Sequence, residues 1–134
     1  VTVHPSAKNL AKSALRRPKR PQGFPKKVKD IMGARSGGMC EIDNCGPIFE
    51  WHHRGPRALG GTSEPWVNRA ANGLGLASRC HRRVESNRAK AYANGWLVRR
   101  NGSRTAAEVP VLYRGRWVLL TDDGRVNPIE GGAA

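Results

Sequence analysis

Hydrophobic and polar positions along this chain follow two periodicities, separated by stretches with neither. Val28, Ile31 and Met32 recur at helical spacing behind Pro25, which suits a first helical position, and Gly37-Gly38 ends the pattern after Arg35. This predicts a short amphipathic helix from about residue 25. Turn residues follow (Asp43-Asn44, Gly46-Pro47), and then "IFEWHH" at residues 48–53. As a strand, that stretch sets Ile48, Glu50 and His52 on one side and Phe49, Trp51 and His53 on the other. Residues 54–72 are Gly-rich and contain Pro, and are expected to form a loop. Ser78 suits an N-cap for a helix running to about Asn94, where Asn94-Gly95 supplies a stop. "WLVRR", "VPVLY" and "RWVLL" are expected to be strands, the last two forming a hairpin around Arg114-Gly115. From Asp122 the chain is polar and Gly-rich, and residues 125–134 are expected to be a flexible tail. No internal repeat is visible. The pattern describes an α+β domain.

A chain of 134 residues fits one such domain. Its charge adds a partner. Lys and Arg outnumber Asp and Glu by 24 to 10, a net charge of +14, which points to a polyanion, with nucleic acid ahead of a membrane surface. No apolar span, lipidation signal or signal-peptide core is visible, so no membrane partner is expected and the cytoplasm of the producing cell is the expected compartment. The charge is also uneven. Residues 1–35 hold ten Lys or Arg and one acid, Asp30. Interrupted by Pro18 and Pro21 and poor in apolar residues, positions 1–24 are expected to be a disordered basic arm, leaving residues 25–124 as the folded domain. Three cysteines argue against a disulfide framework and for thiols with another use.

The histidines narrow the chemistry. His52 and His53 are half of the four in the chain. Asn72 follows, then His81 in the first turn of the expected helix. The stretch "EWHHR...NGLGLASRCHRRVE" resembles the HNH endonuclease family. With Cys40 and Cys45 ahead of the strand and "NRAKAYANGWLVRR...VPVLYRGRWVLLTDDG" behind the helix, it is similar to the small HNH proteins encoded by bacteriophages, particularly those of actinobacterial hosts. The resemblance covers about residues 26–124. It implies a ββα-metal core with an N-terminal helix and a C-terminal β-hairpin, and a divalent-metal-dependent DNA endonuclease using Mg, Mn, Ni or Zn. It also implies a setting in a bacterial host cell, assisting the phage large terminase in genome packaging.

Phosphodiester hydrolysis needs an attacking water, a base for its proton, and positive charge on the phosphate and leaving oxygen. Histidines pointing apart can divide that work, His52 holding metal and His53 activating water, and neutral imidazole suits both jobs. His81 then completes the metal's protein ligands. Asn72 either binds the metal or braces the loop that orients the base, and both roles stay open at this point. Glu85, one helical turn after His81, is a candidate further ligand against a solvated ion pair with Arg82 or Arg88. Glu50 either pins an Arg near the phosphate or is a plain surface carboxylate. Arg54, Arg79, Arg82, Arg83 and Arg88 are candidate DNA contacts. Many relatives hold a structural zinc on two cysteine pairs, but Ala77 stands where one thiol would be. Cys40, Cys45 and Cys80 are one short of a tetrahedral set, so a weak or missing zinc site is expected, with zinc on the three thiolates and an outside ligand as the alternative. Rival readings are a non-catalytic nucleic-acid-binding module and an HNH nuclease with a homing, restriction or toxin role.

Overall fold

A computed structural model of the chain describes residues 23–56, 65–99 and 104–130; the basic arm, apart from its last two residues, lies outside them. Phe24 is buried and belongs to the fold. Helix α1, Lys26–Ser36, begins after Pro25 and ends at Gly37, whose left-handed φ of 66° a side chain would disfavour. Its inner face, Val28, Ile31 and Met32, joins Phe24, Ala70 and Trp51 in a small apolar cluster.

Strand β1, Glu50–His53, pairs antiparallel with β2, Gly73–Leu76, which sets His52 opposite Leu74 and His53 opposite Gly73. Strand β2 lies within the stretch "GLGL", which strand propensity disfavours. The glycines are there for space: a Cβ on Gly75 would overlap Ile48 and Trp51, and one on Gly73 would overlap Met32. The expected single helix is two, α2 (Ser78–Ser86) and α3 (Arg88–Ala93). Asn87 breaks it by leaving helical geometry and accepting a hydrogen bond from the Lys90 N–H, so that it caps α3. The cap residue of α2 is Ala77 rather than Ser78.

The stretch from Trp96 to Val98 is buried but is not a strand. Beyond it, β3 (Val111–Tyr113) and β4 (Arg116–Leu120) form the expected hairpin. Arg114 and Gly115 both have positive φ, 48° and 81°, as a two-residue turn matched to strand twist requires. Residues assigned to the flexible tail supply a third strand, β5 (Val126–Pro128), on the free edge of β4. Among the described residues, the two small antiparallel sheets and three helices are an α+β arrangement. Leu74, Leu76, Val84, Trp96, Leu97, Val111, Val118 and Leu120 share one core between them.

A buried ion pair crosses this core. Arg35 donates to both oxygens of Glu41 at 2.7 and 2.8 Å, and Glu41 also accepts from the Tyr113 hydroxyl and the Gly75 N–H. With every partner satisfied, the network ties α1, β2 and β3 in one register. Among the described residues, no helix is long and apolar enough to cross a membrane.

Candidate functional site

The end of β1 opens on a cleft of about 410 Å³ lined by Glu50, Trp51, His52, His53, Pro56, Glu85, Arg88 and Leu97. His52 and His53 leave opposite sides of the strand, yet both reach it. His52 is 8% exposed, and its Nε2 lies 2.8 Å from the Trp96 carbonyl oxygen. A carbonyl can only accept, so Nε2 carries the proton and Nδ1 keeps the lone pair. Burial pushes the His52 pKa down to about 4, with nearby His81 and His53 adding to the effect against the Trp96 carbonyl and Glu85. The ring is therefore neutral at pH 7, in the form a metal ligand needs, with its other nitrogen fixed by a carbonyl as in metal-bound imidazoles.

That shift has a measurable consequence. A folded-state pKa below the unfolded value near 6.5 means that the unfolded chain binds the proton more readily. The stability is complete above pH 6.5 and is lost as pH falls toward 4. The loss amounts to about 3 kcal/mol. Urea titrations of chelator-treated protein across this range should show the drop, and the His52→Gln variant should show a shallower one. Parallel pH profiles for the two proteins would contradict the assignment.

His81, in the first turn of α2, faces His52 with ring centres 6.2 Å apart. Two imidazoles sharing a tetrahedral ion at ~2.0 to 2.1 Å place their ring centres roughly 5 Å apart, so the rings stand about 1 Å wider than that and would close together on an ion. Two carboxylates flank it: Glu50 Oε1 at 2.8 Å and Glu85 Oε1 at 3.7 Å from His81 Nε2. Among the described residues Glu50 therefore meets His81 and not an arginine, and Glu85 is shared between His81 and Arg88, whose Nη1 is 3.6 Å away.

His53 is held by two residues that carried no sequence signal. Phe24 stacks on its ring at 3.9 Å and nearly parallel, and Nε2 lies 2.8 Å from Asn68 Oδ1, with the donor on the ring. Asn72 does not line the cleft. It is fully buried, its Oδ1 accepts from the Gly55 N–H at 2.6 Å, and its Nδ2 donates to the Gly55 and Val67 carbonyls. Its side chain is committed to bracing the segment that follows His53. Trp66 packs over Gly55, where a Cβ would overlap its ring.

The arginines divide. Arg79, Arg82 and Arg83 on α2 are exposed, Arg79 and Arg83 face Asp43 Oδ2 at 4.0 and 3.1 Å, and Arg88 lines the cleft. Arg54 does not reach the surface, contrary to the expectation of a DNA contact. It is fully buried and donates to four carbonyls, of Gly95, Ala71, Ala106 and Val109. Strand alternation beyond His53 turns it inward, where the carbonyls of irregular segments take up its donors.

The cysteines also depart from expectation. Sγ of Cys40, Cys45 and Cys80 and a carboxylate oxygen of Asp43 all lie within 4.8 Å of one another, a set that can hold a metal ion. Counting thiols alone left out Asp43. Burial raises the Cys40 pKa, but hydrogen bonds from the Ala77, Ile42 and Asp43 backbone outweigh it, so the net shift is downward. Burial, with Asp43, pushes the Cys80 thiol well above its usual range.

No protein-family model, curated protein or solved structure matches this chain.

Proposed function

We propose that this chain is a divalent-metal-dependent DNA endonuclease of the HNH type, with a ββα-metal core formed by β1, β2 and α2. The observation that carries the reading is the His52–His53 pair at one cleft. One ring is kept neutral with Nδ1 bearing its lone pair, and the other is oriented by Phe24 and Asn68. His52 and His81 would hold the ion, with Glu50 and Glu85 supplying further oxygens. A divalent ion there supplies positive charge to the phosphate and the leaving oxygen. His53, oriented by its Nε2 contact with Asn68, takes the proton from the attacking water. Asn72 is a positioning residue, fixing Gly55 and so the end of the strand that carries His53. Arg79, Arg82 and Arg83 on α2 and Arg88 at the cleft attract the DNA backbone, and the basic arm extends that attraction. The resemblance to phage HNH proteins supports a packaging role beside a large terminase in a bacterial host.

The test is supercoiled plasmid incubated with purified protein in EDTA, then with Mg, Mn, Ni or Zn restored singly. At least one ion should convert the plasmid to nicked or linear form, and EDTA should abolish conversion. Binding without cleavage under every ion would make the chain a non-catalytic DNA-binding module.

A further inference from the structure

Among the described residues, the metal-ligating group that lies tightest together is not in the cleft. Cys45 Sγ is 3.4 Å from Cys80 Sγ, which is 3.2 Å from Asp43 Oδ1, and Cys40 completes the set. Four ligands around a tetrahedral ion, with zinc–sulfur bonds near ~2.3 Å and zinc–oxygen near ~2.0 Å, stand roughly 3.3 to 3.8 Å apart. These atoms already approach that spacing without an ion to draw them in. We infer that Cys40, Cys45 and Cys80 with the Asp43 carboxylate form a structural zinc site, Asp43 taking the position of a fourth thiolate.

Both carboxylate oxygens of Asp43 have a use in such a site. Oδ1 faces the sulfurs and accepts from the Cys45 N–H at 3.2 Å, while Oδ2 faces Arg83 at 3.1 Å and Arg79 at 4.0 Å. Three thiolates and one carboxylate around a divalent ion carry a net charge of −2, and these two arginines offset it, an outer-shell pairing of the kind that tunes such sites. Binding displaces one proton from each of the three thiols to solvent. Because Cys80 directly precedes His81, an ion here would tie the first turn of α2 to the loop carrying Cys40 and Cys45. This site is independent of the cleft and stands whether or not the cleft cleaves DNA.

The 134-residue protein should be tested for metal content and then reloaded with cobalt. The cleft contains no sulfur, so thiolate-to-cobalt charge-transfer absorption reports the cysteine cluster alone. One zinc per chain should survive mild chelation and be lost on thiol alkylation, and the cobalt form should show tetrahedral bands with charge transfer. Asp43→Asn keeps an acceptor for the Cys45 N–H but removes the charge. It should weaken zinc in chelator competition by roughly 10²-fold, at the upper end of outer-shell effects because a direct ligand is altered, with the far-ultraviolet circular dichroism of the loaded protein unchanged. Unaltered affinity in Asp43→Asn would overturn the assignment, as would a metal-free chain whose Cys45 and Cys80 are recovered as a disulfide.

Discussion

Replacing His53 with Ala is expected to slow plasmid cleavage at saturating DNA and metal by roughly 10²- to 10⁴-fold, the range over which a positioned general base acts. The imidazole is held on two sides, by the Phe24 ring and by Asn68, so its orientation is set before DNA arrives. The fold should tolerate the change. The ring contact contributes ~0.5 to 1.5 kcal/mol and the hydrogen bond a similar amount. Circular dichroism and calorimetric affinity for the activating ion should therefore stay close to those of the parent while the rate collapses. A rate within a few-fold of the parent would remove His53 as the base. Loss of metal affinity in step with rate would mean that the two histidines have exchanged roles.

Arg54→Met is expected to unfold the domain at room temperature. Four carbonyl oxygens, of Gly95, Ala71, Ala106 and Val109, would lose the guanidinium donor inside the protein, and of these the Ala106 oxygen keeps the Val109 N–H while the other three are stranded. Each buried acceptor left unpaired costs ~1 to 3 kcal/mol, and together they reach the ~5 to 15 kcal/mol that holds a whole domain. Burial, with Arg35 close by and Glu41 opposing, pushes the Arg54 pKa down to about 9, so the guanidinium stays charged at neutral pH. Arg54→Lys keeps the charge but lacks the planar fork that reaches four acceptors, and should also be strongly destabilised. Urea unfolding of the three proteins measures this. A folded Arg54→Met variant with near-parent stability and weakened DNA binding would return Arg54 to the DNA-facing surface.

The parts of the fold legible in the sequence carry local signals. Pro25 and Gly37 mark the ends of α1, and Arg114-Gly115 marks the β3–β4 turn. What escaped depends on distant neighbours. Strand β2 is half glycine because Ile48, Trp51 and Met32 approach its backbone, and nothing local in "GLGL" announces those contacts. Val126–Pro128 is a strand only because β4 offers an edge. The Asn87 break did have a local signal, an Asn placed three residues before an N–H that it caps. At the site, the order His52, His53, Asn72 and His81 was legible, whereas Phe24 and Asn68 reach His53 through tertiary contacts. Arg54 misled because arginine is ordinarily exposed, and Asp43 because an acid between two cysteines resembles a turn residue.

Cleavage as proposed depends on a divalent ion held in the cleft by His52 and His81 beside His53. Anomalous diffraction from crystals soaked in manganese tests it most directly. A peak is expected about 2.0 to 2.3 Å from His52 Nδ1 and from one ring nitrogen of His81. Manganese bound elsewhere while the cleft stays empty would contradict it.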